Sequence, residues 1–149
     1  MPRSTAQIAG HPLHVMLAPF PLVCFVLTLF SDLAYWKTAA MQWANMSAWL
    51  LVIGLVVAVF AVIAGLIDII ASRGVRSLRT VWIHTAGNAV VLVLAILDSF
   101  VHSRDAYTSV VPLGLLLSLL IVVIMVCTGW LDWDLGRRQG VGMEVESRS

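Results

Sequence analysis

The sequence predicts an all-α protein: an integral membrane bundle of four transmembrane helices, with antiparallel neighbours and both termini in the cytoplasm. The 149-residue chain is 60% hydrophobic and 11% charged, whereas a soluble domain typically carries about 25% charged residues. Four apolar runs are each long enough to cross a hydrocarbon core, which needs roughly 20 residues per helix. The connections between them are short, so we expect a single transmembrane domain, 1–149.

The four runs place the predicted helices near 13–36, 47–71, 80–102 and 108–135, with 137–149 as a flexible tail. The first run exceeds the roughly 7–15 apolar residues of a signal-peptide core. Pro19 and Pro21 interrupt it, so residues 11–21 are either a kinked helix start or a short interfacial turn.

The assignment of the next three runs as helices is supported by residues that repeat at helical spacing along one face. The second has small residues at Gly54, Ala58, Ala61 and Gly65, which let a neighbouring helix approach closely, in the same bundle or in a homo-oligomer. The third carries a polar face that should turn away from lipid. Its members are His84, Asn88, Asp98 and His102. In the fourth, Gly114, Ser118 and Ile121 share a weaker face.

The distribution of arginine predicts the orientation. An even number of crossings puts the N-terminus, the middle loop and the C-terminus on one side, and that side is rich in arginine, whereas the other holds Lys37 and Arg104. By the positive-inside rule, the arginine-rich side is cytoplasmic. Its members are Arg3, Arg73, Arg76, Arg79, Arg137 and Arg138. Net charge is only +1, and no pattern indicates nucleic-acid binding.

One aspartate lies near the C-terminal end of each run, where the negative end of the helix dipole makes an anion costly. These aspartates are Asp32, Asp68, Asp98 and Asp132. Antiparallel packing sorts them into two polar layers. A cytoplasmic layer combines His14, His84, Asp68 and Asp132, with Asn88 one turn deeper, and an outer layer combines Asp32, Asp98 and His102. The cytoplasmic layer has more histidine and is therefore the predicted site.

The predicted site could bind a cofactor. His14 and His84 lie near helix starts, where the positive dipole end favours the neutral imidazole that ligates haem iron or a divalent metal. Asp68 could accept the second ring N–H of such a ligand and fix its orientation. His11 and His14 are three residues apart and could chelate a metal if their turn is helical. The cofactor hypotheses are thus haem b or a divalent metal.

A family resemblance rests on Gly10-His11-Pro12-Leu13-His14 followed by Pro19-Phe20-Pro21. Together with Gly65-Leu66-Ile67-Asp68, His84, Asn88 and Gly129-Trp130-Leu131, these motifs resemble domain-of-unknown-function family 2231 of bacterial membrane proteins. The resemblance implies four helices in the bacterial inner (plasma) membrane. Some relatives are joined to Rieske-type iron–sulfur domains, which implies a redox partner by association. Gln139 replaces a histidine that is frequent in the family.

The sequence leaves three functional hypotheses. The first is a small haem- or metal-binding redox component of the inner membrane, with His14 and His84 as ligands. The second is a non-enzymatic structural or accessory protein whose polar layers only fix helix packing. The third is a path for protons or metal ions. No serine or cysteine nucleophile with its base is apparent, so an enzymatic role is the less favoured class.

Overall fold

The computed structural model describes residues 7–8, 11–12, 16–71, 79–104 and 110–146, with side chains for 16–67, 69–70, 81–104, 110–131 and 134. Its helices are α1 Pro19–Thr38, α2 Met41–Ala71, α3 Arg79–Ser103 and α4 Leu115–Glu146. Each contains a stretch long and apolar enough to cross a membrane, of 20 to 27 residues. At 1.5 Å per residue, even the shortest spans about 30 Å. The predicted all-α fold with four such helices is confirmed.

The helix boundaries differ from the sequence prediction in three places. α1 begins at Pro19, because proline fits the first helical turn, where no N–H partner is needed. α2 already begins at Met41, since only Ala39 and Ala40 separate it from α1. α4 continues to Glu146, so the backbone of 137–146 is helical where the sequence indicated a tail. It is preceded by a kinked turn, Val110–Gly114, with extended backbone at Val111.

A short antiparallel strand pair precedes the bundle. β1, Gln7–Ile8, pairs with β2, His11–Pro12, with Ile8 opposite His11. His11 therefore lies in extended backbone, not in the helical turn that would bring it close to His14. His14 itself lies outside the described residues.

The four helices close into a ring in chain order. α1 packs against α2 and α4, and α3 packs against the same two helices. The centre is filled by Phe25 of α1, Leu51 of α2, Val91 and Ala95 of α3, and Ile121 of α4. Each of these residues is buried, so this apolar core occupies the middle of the bundle.

Small residues allow the close approach of α1 and α2. A methyl group at Gly54 would stand 2.9 Å from both the Cβ of Cys24 and the ring of Phe25. Gly54 and Ala58 are buried, whereas Ala61 and Gly65 are half-buried. The buried part of the small-residue face of α2 therefore packs against other residues of the same chain.

Most large apolar side chains point outward, including four phenylalanines: Phe20, Phe30, Phe60 and Phe100. Soluble monomers rarely expose contiguous apolar surface on this scale. Since all four helices carry such residues, the outer surface of the bundle is suited to acyl chains.

Ala39 provides a test of the connection between α1 and α2. It adopts left-handed backbone, with φ 52°, and its N–H donates to the Tyr35 carbonyl at 2.7 Å. Glycine adopts this conformation without a Cβ penalty, so Ala39→Gly should stabilise the folded state by about 0.5–1 kcal/mol. Thermal unfolding in mild detergent measures the change. The neighbouring Ala40→Gly is the control, and an equal rise in both variants would contradict the explanation.

Candidate functional site

The Asp32 carboxylate is the centre of a buried polar cluster. It is fully buried and accepts hydrogen bonds from side chains of the other three helices. Ser47 of α2 donates to its Oδ1, and Ser118 of α4 donates to its Oδ2 at 2.8 Å. The Nε2 of His102 on α3 lies 3.0 Å from Oδ1. We call these four residues, together with Asp98, the Asp32 cluster.

His102 lies between two carboxylates. Its Nε2 faces Asp32 and also lies 3.1 Å from the Ser47 hydroxyl oxygen. Its Nδ1 lies 3.0 Å from the backbone carbonyl of Asp98, one turn earlier in α3, and 3.1 Å from the Oδ1 of the same residue. Both ring nitrogens thus face acceptors, and an imidazolium can donate to both sides at once.

Position along the helices explains why these residues meet. Asp32 lies six residues before the end of α1, and Ser47 lies six residues after the start of α2. Both are therefore about 9 Å from the shared connection. His102 is in the last turn of α3, and Ser118 is in the first turn of α4. The cluster thus occupies the end of the bundle that carries Lys37 and Arg104.

A glycine makes room for the imidazole ring. A methyl group at Gly114 would stand 2.8 Å from the Cε1 of His102, closer than a Cβ atom can approach. Gly114 is the last residue of the kinked turn before α4, and it is buried. The sequence at this position therefore permits the ring to pack directly against backbone.

The electrostatics favour a cation at His102. The residue is in the last turn of α3, where the helix dipole is negative. The same dipole disfavours Asp32 and Asp98, which lie near the C-terminal ends of their helices. A protonated imidazole 3.0 Å from Asp32 offsets this penalty for the Asp32 carboxylate. The ion pair with His102 and the hydrogen bonds from the two serines therefore stabilise the Asp32 carboxylate against the unfavourable helix dipole.

Apolar layers enclose the cluster on both sides. The central core, with Phe25 and Leu51, lies deeper in the bundle. Towards the helix ends, Tyr35, Ala44 and Val110 form a second buried group. The cluster is thus a polar layer between two apolar groups of buried residues.

The residues of the predicted cytoplasmic site are only partly described. His84 and Asn88 are half-buried on α3. Asp68 lies on α2, but its side chain, like that of Asp132 and the whole of His14, is outside the described residues. A ligand set of His11, His14 and His84, or a cofactor site that includes Asp68 and Asn88, therefore stays a prediction. Within the described side chains, no group of three His, Cys, Asp or Glu residues could hold a metal ion.

Sequence reasoning grouped Asp32, Asp98 and His102 in one layer, and the structure brings them together. It missed Ser47 as a partner and did not connect Ser118 with Asp32. A signal for Ser47 exists, because Ser47, Leu51, Gly54 and Ala58 continue the buried face of α2 at helical spacing. Extending the small-residue pattern backwards by seven residues from Gly54 would have found it.

Fold and site together define a class: a polytopic membrane protein whose four spans each contribute a side chain to the buried Asp32 cluster. Residues 10–145 match a family model described as "Predicted membrane protein (DUF2231)". The chain belongs to this family, as the motifs in its sequence indicated. No curated protein and no solved structure matches the chain.

Two glycines of the fourth span test the packing of the His102 ring. Gly114→Ala should displace the imidazole and destabilise the fold by about 1–3 kcal/mol, as overpacking of a buried site does. Gly129→Ala is the matched control, because a methyl group there meets nothing within 4 Å. Thermal unfolding in detergent separates the two variants. Equal unfolding midpoints would contradict the close contact with His102.

Proposed function

We propose that the protein is a non-enzymatic component of the bacterial inner membrane, with both termini in the cytoplasm, and that the Asp32 cluster fixes the packing of its spans. The family match and the four apolar helices support the membrane class. One observation carries the structural role. The carboxylate of Asp32 receives a donor from each of the other three helices.

The energetic argument follows from burial. Lipid tails are as apolar as the side chains of the helices, so the hydrophobic effect contributes little to association of the spans. Hydrogen bonds between helices, and close contacts at small residues, then stabilise one arrangement over others. Removing one partner of a buried ion pair leaves the other uncompensated, at a cost of about 3–5 kcal/mol. The Asp32 cluster therefore selects one relative position for all four spans.

Such a rigid bundle suits an accessory role beside another membrane or soluble protein. An iron–sulfur protein is the partner that the family resemblance suggests. A homo-oligomer is a second arrangement, formed through the outer apolar surface. In both arrangements the chain would serve as a rigid membrane-embedded partner rather than as a catalyst.

Two buried serines provide the test of the structural role. Ser118 donates to Asp32 on another helix, whereas Ser31 donates only to the Leu27 carbonyl of its own helix, at 2.8 Å. Ser118→Ala should lower the free energy of unfolding by about 1 kcal/mol. Ser31→Ala removes an equally buried hydroxyl without breaking an interhelical bond and should cost less. Unfolding in mixed micelles measures both, and the reverse order of stabilities would exclude the role of the cluster.

Haem or metal binding by a redox component is a separate proposal, supported by His84 and Asn88 on one half-buried face of α3. In that case, the protein purified from haem-replete cells should show a Soret band that shifts on reduction with dithionite. His84→Ala should weaken the band, and Asn45→Ala, at an exposed position on α2, should not. Metal analysis of the same samples tests zinc and iron. A colourless, metal-free preparation would eliminate this proposal.

A further inference from the structure

The two carboxylates of the Asp32 cluster have unequal surroundings. Both are fully buried, but Asp32 accepts three hydrogen bonds, and neither side-chain oxygen of Asp98 accepts one from the described residues. The Nδ1 of His102 is 3.1 Å from Asp98 Oδ1, yet its hydrogen bond is made to the Asp98 backbone carbonyl. A buried carboxylate ion without a donor is costly. Among the described residues, Asp98 therefore has the His102 imidazole beside it but no hydrogen-bond donor, whereas Asp32 has three donors.

The number of bound protons sets the net charge of the cluster. With one proton shared among Asp32, Asp98 and His102, the cluster has a net charge of −1. With two protons it is neutral. Among the described residues, the groups that face it from α2 and α4 are the uncharged hydroxyls of Ser47 and Ser118. Lys37 and Arg104, beyond the helix ends, are exposed. Because transfer of an isolated charge from water into an apolar interior is unfavourable, the two-proton state is preferred.

The geometry also assigns each proton. Asp32, with three donors, is the group suited to stay ionised. His102 carries the first proton as an imidazolium, which donates from Nε2 to Asp32 and from Nδ1 towards Asp98. The second proton then belongs on the Asp98 carboxyl group, which becomes an uncharged acid beside the imidazolium.

We propose that Asp98 is a proton-binding site, occupied at neutral pH, and that its proton exchanges with the aqueous phase at the end of the bundle carrying Lys37 and Arg104. Release converts the carboxylic acid to a carboxylate and gives the proton to water, which leaves the cluster with a charge of −1. Uptake reverses this step. This site is distinct from the structural role of Asp32, which does not require a proton on Asp98.

The surrounding layers make the exchange one-sided. Among the described residues, Tyr35, Ala44 and Val110, with Trp43 and Val111 packed against them, cover the cluster towards the near end, over about one helical turn. On the opposite side lies the apolar core of Phe25, Leu51, Val91, Ala95 and Ile121. A proton on Asp98 therefore has a short route to one aqueous phase and an apolar barrier to the other. The site fits a proton-responsive element better than a continuous proton path.

Infrared spectroscopy of the full-length protein tests the proposal. The wild-type protein at neutral pH should show the carbonyl stretching band of a protonated carboxylic acid, which shifts in D₂O and on labelling with ¹³C-aspartate. Asp98→Asn should remove the band, and Asp134→Asn, a half-buried aspartate of α4, should leave it in place. Raising the pH should abolish the wild-type band reversibly. Absence of any labelled band in the wild type, or its persistence in Asp98→Asn, would overturn the proposal.

Stability gives a second readout that does not depend on assigning the band. Asparagine resembles a neutral carboxylic acid in size and charge, so Asp98→Asn should keep an unfolding midpoint close to wild type. Asp32→Asn removes an ionised acceptor of three donors and should lower the midpoint clearly. A larger loss for Asp98→Asn than for Asp32→Asn would mean that Asp98 is ionised, and this would overturn the proposal even if a variant folds poorly. Failure of the Ser118→Ala test would leave these outcomes unaffected.

Discussion

Burial of the Asp32 carboxylate is the constraint on which the arrangement of the four helices depends. A carboxylate among apolar side chains is unfavourable unless donors surround it, and Asp32 obtains one donor from each of the other helices. These contacts join α1 to α3 across the ring, between two helices that are not neighbours in it. The apolar core fills space at many positions, but the carboxylate specifies which residues must meet.

Glycine and serine make this specification sterically feasible. Gly114 lets the His102 ring lie against backbone, and Gly54 lets α1 and α2 approach closely. Ser47 and Ser118 are small donors that fit into a closely packed layer. The same principle explains why small and polar residues accompany the apolar core on the buried faces, while most of the large apolar side chains point outward.

The number and class of the helices could be predicted from the sequence, because runs of apolar residues are a direct requirement of the bilayer. The inward faces of α1 and α3 were also predictable, since Asp32, Asp98 and His102 are too polar for lipid. The partners of Asp32 were not, because serine is tolerated at any depth and forms bonds within its own helix, as Ser31 does. The prediction favoured the histidine-rich layer, whereas the best-described contacts lie in the other one, where a single imidazole serves two carboxylates.

The two-residue connection at Ala39 and Ala40 has a consequence for biosynthesis. Helices joined by two residues are adjacent as soon as both are synthesised, so Ser47 is the first partner that Asp32 can meet. The Asp32 carboxyl group of the first span thus has one hydrogen-bond donor available before α3 is synthesised. His102 and Ser118 follow later in the chain and complete the hydrogen bonds to Asp32. The order of these residues along the chain thus shortens the time during which the Asp32 carboxyl group lacks partners in the lipid.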